Sequence, residues 1–278
     1  MDKKDAVAKL EAGLHNLLQS DNWRSYLSMH KHFHNYSWNN KLLIWVQMPE
    51  ATRVAGFQTW KKLKRYVNKG AKGIAILAPI ITSKDKEDCL PDEEETKEKL
   101  LVGFRIVHVF DVSQTSGEPL PDIGIHRLEG NSDIYERMLA VCPFPVQEIE
   151  DLNGANGMIE YTSQQISVLA SLSSAHKAKT LAHEWAHGLL HVTDPEGKQL
   201  SRDVKELEAE STAFIVCDTL GLDTSGYSFG YLVNWNGDDA VDNLKQSLTR
   251  IQKAADRILQ SLPVQEDQAT DSVEVQTA

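Results

Sequence analysis

The sequence predicts an α+β chain built in two units. Three observations carry this expectation. Segments with apolar residues at helical spacing are interleaved with short, strand-like apolar runs. Charge is split: residues 1–80 hold 13 Lys/Arg against 5 Asp/Glu, a net of +8, and the remaining 16 basic and 35 acidic residues give −19. A Pro- and Gly-containing stretch over 116–130 lies between the two parts. Halves so unlike in charge point to different partners. The units are expected at 1–125 and 131–263, followed by a polar, disordered tail at 264–278.

The elements follow in order. Val7, Leu10, Leu14, Leu17 and Leu18 share one face of a helix over 5–20. A second helix covers about 22–47, interrupted near HNYSWNN and ended by Pro49. GFQTWKKLKRYVNKG reads as a short amphipathic helix closed by Gly70. GIAILAPIIT and LLVGFRIVHVFDVS read as strands that pair as a hairpin across a charged, exposed insert at 84–99. In the second unit a helix at 131–141 precedes strands at 145–150, 157–161 and 165–170. The last strand runs into a helix carrying HEWAH. Helices at 203–220, stopped by Gly221, and at 239–262 complete the unit.

Composition removes several classes. With 41% apolar residues the chain is no disordered polymer. Its net charge of −11 argues against non-specific nucleic-acid binding by the chain as a whole. Cys89, Cys142 and Cys217 are scattered and form no CxxC pair, so a disulfide framework is not expected. No apolar run approaches the roughly 18 residues that cross a bilayer, and MDKKDAVAKLEAG lacks a signal-peptide core. The expectation is a soluble, cytoplasmic protein with no membrane partner.

The stretch LAHEWAHGLLH, residues 181–191, carries the clearest chemistry. Positions i and i+4 share a helix face, so His183 and His187 present two imidazoles to one ion. Glu184 beside them is placed as the general base toward water. Zinc makes water acidic enough to supply a nucleophile near neutral pH. A catalytic zinc takes three protein ligands, and the helix 203–220 offers Glu206, Glu208 and Glu210. Glu206 and Glu210 share a face, whereas Glu208 lies about 200° round the helix. Glu206 is assigned as the third ligand and Glu210 as the acid that orients a ligand histidine, with the reverse assignment left open. One Zn2+ per chain is expected, and another divalent metal suits the same donors. His191 reads as a helix-face residue or one that supports a ligand from behind, rather than a fourth ligand, and His30, His32, His34 and His176 read as surface residues. Strand 165–170 is a candidate edge for pairing with a peptide, a protein substrate. Tyr227 and Tyr231 are candidate transition-state donors.

Residues 33–72 combine cations with aromatics. Single-stranded nucleic acid is bound by a positive groove with aromatic platforms. Tyr36, Trp38, Asn39, Trp60, Lys61, Lys62, Lys64, Arg65, Lys69 and Lys72 are the candidate contacts, with Asn35, Asn40 and Gln47 as further hydrogen-bonding amides. Trp45, Leu42, Leu43 and Trp60 also sit at helical spacing, which a plain core would explain.

The stretch FHNYSWNNKLLIWVQMPEATRVAGFQTWKKLKRYVNKGAKGIAILAP with GFRIVHVFDVSQTSGEPLP resembles the N-terminal single-stranded-DNA-binding domain of the ArdC antirestriction family. HEWAHGLLH with ELEAESTAFIVCDTLGLD resembles the zincin-like metallopeptidase domain that follows it there, and is similar to the ImmA/IrrE metallopeptidases. The resemblance implies an N-terminal α/β DNA-binding domain and a C-terminal gluzincin, a zinc metalloendopeptidase fold. Its ligands match His183, His187 and a glutamate, and an ELxAE pattern matches Glu206 and Glu210. It implies an antirestriction protein of a plasmid, conjugative element or phage that protects incoming single-stranded DNA. An ImmA/IrrE-like regulatory metalloprotease that cuts a repressor is the alternative.

Overall fold

Asp2 starts the first helix. In the computed structural model of the chain, which describes residues 2–18, 20–84, 98–120, 133–227, 229 and 240–263, its carboxylate accepts from Asp5 N, and Asp5 accepts from Asp2 N. This reciprocal cap satisfies two donors that the start of α1 (Lys3–Leu17) leaves open. The interrupted helix expected over 22–47 is two helices, α2 (Ser20–Ser28) and α3 (Trp38–Gln47). Ser37 restarts the chain by capping α3 through Asn40 N.

A small sheet follows, with strands β1 (Val54–Gly56), β3 (Ile74–Lys84) and β4 (Glu98–Asp111) in the order β1-β4-β3, all antiparallel. The helix expected over 56–70 is shorter. α4 (Phe57–Lys62) ends where Lys64 adopts a left-handed φ of 55°, and β2 (Arg65–Val67) then pairs with β5 (Thr115–Gly117). Pairing with a distant strand has overridden local helical periodicity. The β3 edge is partly covered by side chains of α3. The Asn40 amide exchanges two hydrogen bonds with the Leu77 backbone at 2.9 Å, and the Gln47 amide does the same with Ala75 at 2.9 and 3.1 Å. These amides stand in for a missing strand, and so are not free for a ligand.

The VFDVSQT segment is a clasp. Asp111, buried at the end of β4, accepts from Thr52 N, Arg53 N and Ser113 N at 2.8 to 3.0 Å. Burial works against its charge, but these donors hold its carboxyl below the usual range. Gln114 in the following 3-10 turn ties Asp111 N to Lys72 O.

The second half begins with α5 (Ile134–Val141) and a three-stranded sheet of β6 (Val146–Ile149), β7 (Gly157–Ile159) and β8 (Ile166–Leu169) in the order β6-β8-β7. β8 is parallel to β6 and antiparallel to β7. α6 (Ser174–His187), capped by Ser173, lies against β7 and β8. It continues into a π-helical turn, Gly188–Val192, then α7 (Pro195–Lys198), α8 (Arg202–Thr219) and α9 (Ala240–Ser261). Mixed helix and strand is the α+β class.

The leading helices pack on the last ones. α2 meets α8, and α1 and α3 meet α9. One apolar cluster includes Leu14, Trp23 and Leu42 with Phe214 and Ile251. Trp23 Nε1–H donates to Ser211 Oγ at 2.9 Å inside it. His30, expected at the surface, is buried there, and its Nε2 lies 2.9 Å from Asp256. Residues 85–97 of the insert, 121–130 of the linker, 131–132 at the start of the helix expected over 131–141 and the tail from 264 lie outside the described residues.

Candidate metal centre

α6 and α8 cross so that three donor atoms converge. His183 Nε2 and His187 Nε2 are 3.1 Å apart, and Glu206 Oε2 is 3.6 Å from each. A tetrahedral ion with bonds of about 2.1 Å needs donors about 3.4 Å apart. The triangle brackets that value, so the residues fit a divalent cation. The three side chains form the candidate metal-binding group among the described residues.

Each imidazole is held from behind. His183 Nδ1 faces Glu210 Oε2 at 3.4 Å. His187 Nδ1 faces His191 Nδ1 at 3.0 Å, and His191 Nε2 lies 3.1 Å from Glu208 Oε2. One proton arrangement satisfies this chain while leaving His187 Nε2 a free lone pair. His187 Nδ1–H donates to His191, and His191 Nε2–H donates to Glu208. Glu208 and His191 are fully buried. The π-helical turn sets the backbone that carries His191 beneath His187. Ser247 Oγ–H (2.7 Å) and Arg250 Nε–H (3.0 Å) from α9 also donate to Glu208, and Arg250 bonds Asp194 at 2.6 Å.

The electrostatics couple these imidazoles to the acids of α8. Burial opposes charge on His183, but hydrogen bonds to Glu206 and Glu210 outweigh it and push the imidazole up to about 10. The neighbouring imidazoles of His183 and His187 hold Glu206 well below the usual carboxylate range. Burial lowers His187 and His191, and burial raises Glu184 to about 7.

Glu184 is aimed at an open cleft of about 440 Å³ that Gly157, Lys179 and His183 also line. The Ile159 backbone N–H on β7 donates to its carboxylate. Gly157 allows this approach, because a Cβ there would meet Thr180 Cγ2 at 2.4 Å and Glu184 Cγ at 3.2 Å. The strand expected to receive a peptide is therefore misplaced. β8 is central and paired on both sides, while β7 is the edge strand beside Glu184. Tyr227 is corrected as well: it lines the cleft, but its hydroxyl turns into the core toward Cys217 Sγ at 3.3 Å. Tyr231 lies outside the described residues. The phenol that sequence reasoning missed is Tyr161, exposed and close enough to Glu206 and Glu184 for their charges to raise it further beyond what burial does.

The basic, aromatic segment divides. Trp60 is only 2% exposed and donates its indole N–H to Phe110 O at 2.9 Å, so it is core and offers no face to a base. Arg65 is committed to Thr115, through Oγ1 at 2.9 Å and O at 3.0 Å. Lys64 pairs with Glu118 at 3.2 Å. Lys61, Lys62, Lys69 and Lys72 are exposed, and no described residue pairs with their ammonium groups. The exposed rings beside them are Tyr66 at 60% and Phe57 at 53%. Tyr36, Trp38 and Asn39 are half-buried, and Trp38 opens on α9 instead.

Residues 4–110 match the family described as the N-terminal domain of anti-restriction factor ArdC. Over 276 residues the chain is 27% identical to an uncharacterized protein of Bacillus anthracis, covering 83% of this chain and 46% of that protein. It thus spans less than half of that relative's length. Two crystal structures of the antirestriction ArdC protein from the R388 plasmid are similar in fold. The metal-free one has a TM-score of 0.54 and 22% identity, covering 81% of this chain and 85% of that one. The Mn(II)-bound one has a TM-score of 0.57 and 19% identity, covering 91% and 97%. Residues 4–110 thus match the ArdC N-terminal domain in sequence, and the fold along most of the chain is similar to that of the R388 ArdC protein.

Proposed function

We propose that this chain binds single-stranded DNA and serves as an antirestriction factor of a mobile element, with a gluzincin-type metallopeptidase half. The observation that carries the peptidase reading is the donor triangle of His183, His187 and Glu206 with Glu184 beside it, under the edge strand β7. A divalent cation held there supplies Lewis acidity toward water and a carbonyl oxygen. Zinc is favoured over manganese by its affinity for imidazole and carboxylate donors; the relative bound Mn(II) in its crystal.

The residues divide the work. An extended peptide pairs with β7, which brings a peptide bond over Glu184. Glu184, ionised, takes a proton from the attacking water as its oxygen bonds to the carbonyl carbon. It returns that proton to the amine as the C–N bond breaks. Tyr161 O–H donates to the oxygen that gains negative charge. Glu210 and the His191–Glu208 pair keep both ligand imidazoles in the tautomer that leaves Nε2 free.

Lys61, Lys62, Lys69 and Lys72 with Tyr66 and Phe57 supply cations and aromatic faces for a single strand. The test pairs titrations of labelled single- and double-stranded oligonucleotides at two salt concentrations with cleavage of unfolded casein. The reading expects salt-sensitive preference for single strands and cleavage that disappears in Glu184→Gln. Equal binding of duplex, or cleavage unchanged by that substitution, contradicts it.

A further inference from the structure

We propose that the cleft between the start of α3 and the outer face of α9 holds one nucleotide of a bound single strand, its base against Trp38 and its phosphate between Lys253 and Arg257. The inference rests on the single-strand-binding reading and extends it onto the acidic half of the chain. The cleft measures about 480 Å³, and Trp38, Gln252, Lys253, Asp256 and Arg257 line it.

The cations of α9 single out this place. Lys245 is paired with Asp242 at 2.9 Å, and Arg250 with Glu208 and Asp194 at 3.0 and 2.6 Å. Lys253 and Arg257 are exposed, and no described residue pairs with either. They stand one helical turn apart on the same face, which puts their stems about 5–6 Å from each other, a spacing that lets both reach one phosphate. Asp256, the acid in the cleft, is already answered. Its Oδ1 is 2.9 Å from His30 Nε2, and His30 Nδ1 is 2.8 Å from the buried Lys41 Nζ. That buried lysine offsets the Asp256 charge and leaves Lys253 and Arg257, unpaired among the described residues, to set the sign of the cleft. Trp38 supplies the flat apolar wall; it is half-buried and packed on the core, so its ring is fixed before a base arrives.

The cleft is separate from the Lys61–Lys72 cluster. α3 lies along β3 with Gln47 at Ala75 and Asn40 at Leu77. Trp38 is therefore beyond Leu77, while Lys72 precedes Ala75, roughly 20 Å apart along the strand. A strand long enough to span both gains from both.

The experiment uses the full chain and fluorescein-labelled oligothymidine. Lys253→Ala with Arg257→Ala changes two exposed side chains, so folding is preserved. Affinity should fall roughly ten-fold at low salt, and the log–log salt dependence should become shallower by about 0.7 for the one lost single-strand phosphate contact. Photo-crosslinking with iodouracil-containing strands should label the Trp38 peptide. If Lys61→Ala with Lys62→Ala weakens binding while the α9 pair changes neither affinity nor slope, the cleft is not part of the path and this inference fails alone. If wild-type protein binds no single strand, both fall. If the α9 pair leaves DNA binding intact and lowers binding of an acidic peptide, the cleft belongs to a protein partner and the inference is overturned.

Discussion

His191 Nδ1 lies 3.0 Å from His187 Nδ1, inside the core and one helical turn beyond the candidate ligand. With His187 Nδ1–H donating across this contact, its lone pair lies on Nε2, toward His183 and Glu206. Glu208 closes the chain at 3.1 Å from His191 Nε2. Such partners set ligand orientation and basicity. Glu208→Gln should lower affinity for Zn2+ or Mn2+ about 10–100-fold while the far-UV circular dichroism stays the same. Titration against a competing chelator measures this; undiminished affinity would remove the orienting role.

Glu184 separates binding from chemistry. Glu184→Gln keeps the shape and should retain one metal per chain and single-strand affinity. Peptide hydrolysis should fall by about 10²–10⁴-fold, the range for loss of a general base. Metal content and cleavage of unfolded casein on one preparation test both parts, and residual activity near wild type would assign the base elsewhere.

The metal-free protein should show a particular pH dependence. His183 is raised from 6.5 unfolded to about 10 folded by Glu206 and Glu210 against the effect of burial. A raised folded value stabilises fully below the unfolded pKa, so this contribution is complete below about 6.5 and is lost as pH rises through about 10. Chelator-treated protein should thus lose melting temperature across that window. Metal takes the place of the proton, so binding at pH 7 should release protons. Calorimetry in two buffers of different ionisation heat detects the release; heats independent of buffer would contradict it.

Trp60 and Tyr66 should behave oppositely. Trp60→Ala empties a core position and should cost about 3–5 kcal/mol of stability. Tyr66→Ala touches an exposed ring and should leave melting unchanged while single-strand binding weakens by about 1–3 kcal/mol. Thermal melts and anisotropy titrations on both variants decide. A Tyr66 variant with full affinity would move the aromatic contact to Phe57 or away from this face.

The contrast shows what a sequence makes legible. His183 and His187 could be read because one helix turn fixes their separation, and Glu206 and Glu210 because they share a face at the same spacing. Glu208 was legible only as the acid that points elsewhere. Its partners Ser247 and Arg250 sit some 40 positions on in α9, and no local pattern announces such a contact. His191 carried a signal, a third histidine at the i+4 step, that reads equally well as an ordinary helix residue. Trp60 reads from the sequence as a contact and, by its helical spacing, equally as core; only the bond to Phe110 O decides between them. Sheet order was also hidden. β7 and β8 form a hairpin that the sequence marks, but which of them is the edge depends on β6, brought alongside β8 from about 20 residues earlier. Arg65 looked like a free cation until β5 claimed it.

The most direct measurement of the central claim is metal content by mass spectrometry on wild type, Glu206→Ala and Glu210→Ala after dialysis against a weak chelator. The geometry of His183, His187 and Glu206 predicts about one divalent ion per chain in wild type, loss of most of it in Glu206→Ala, and retention with weakened affinity in Glu210→Ala. Full occupancy in Glu206→Ala with loss in Glu210→Ala would contradict the donor set and exchange the roles of the two acids.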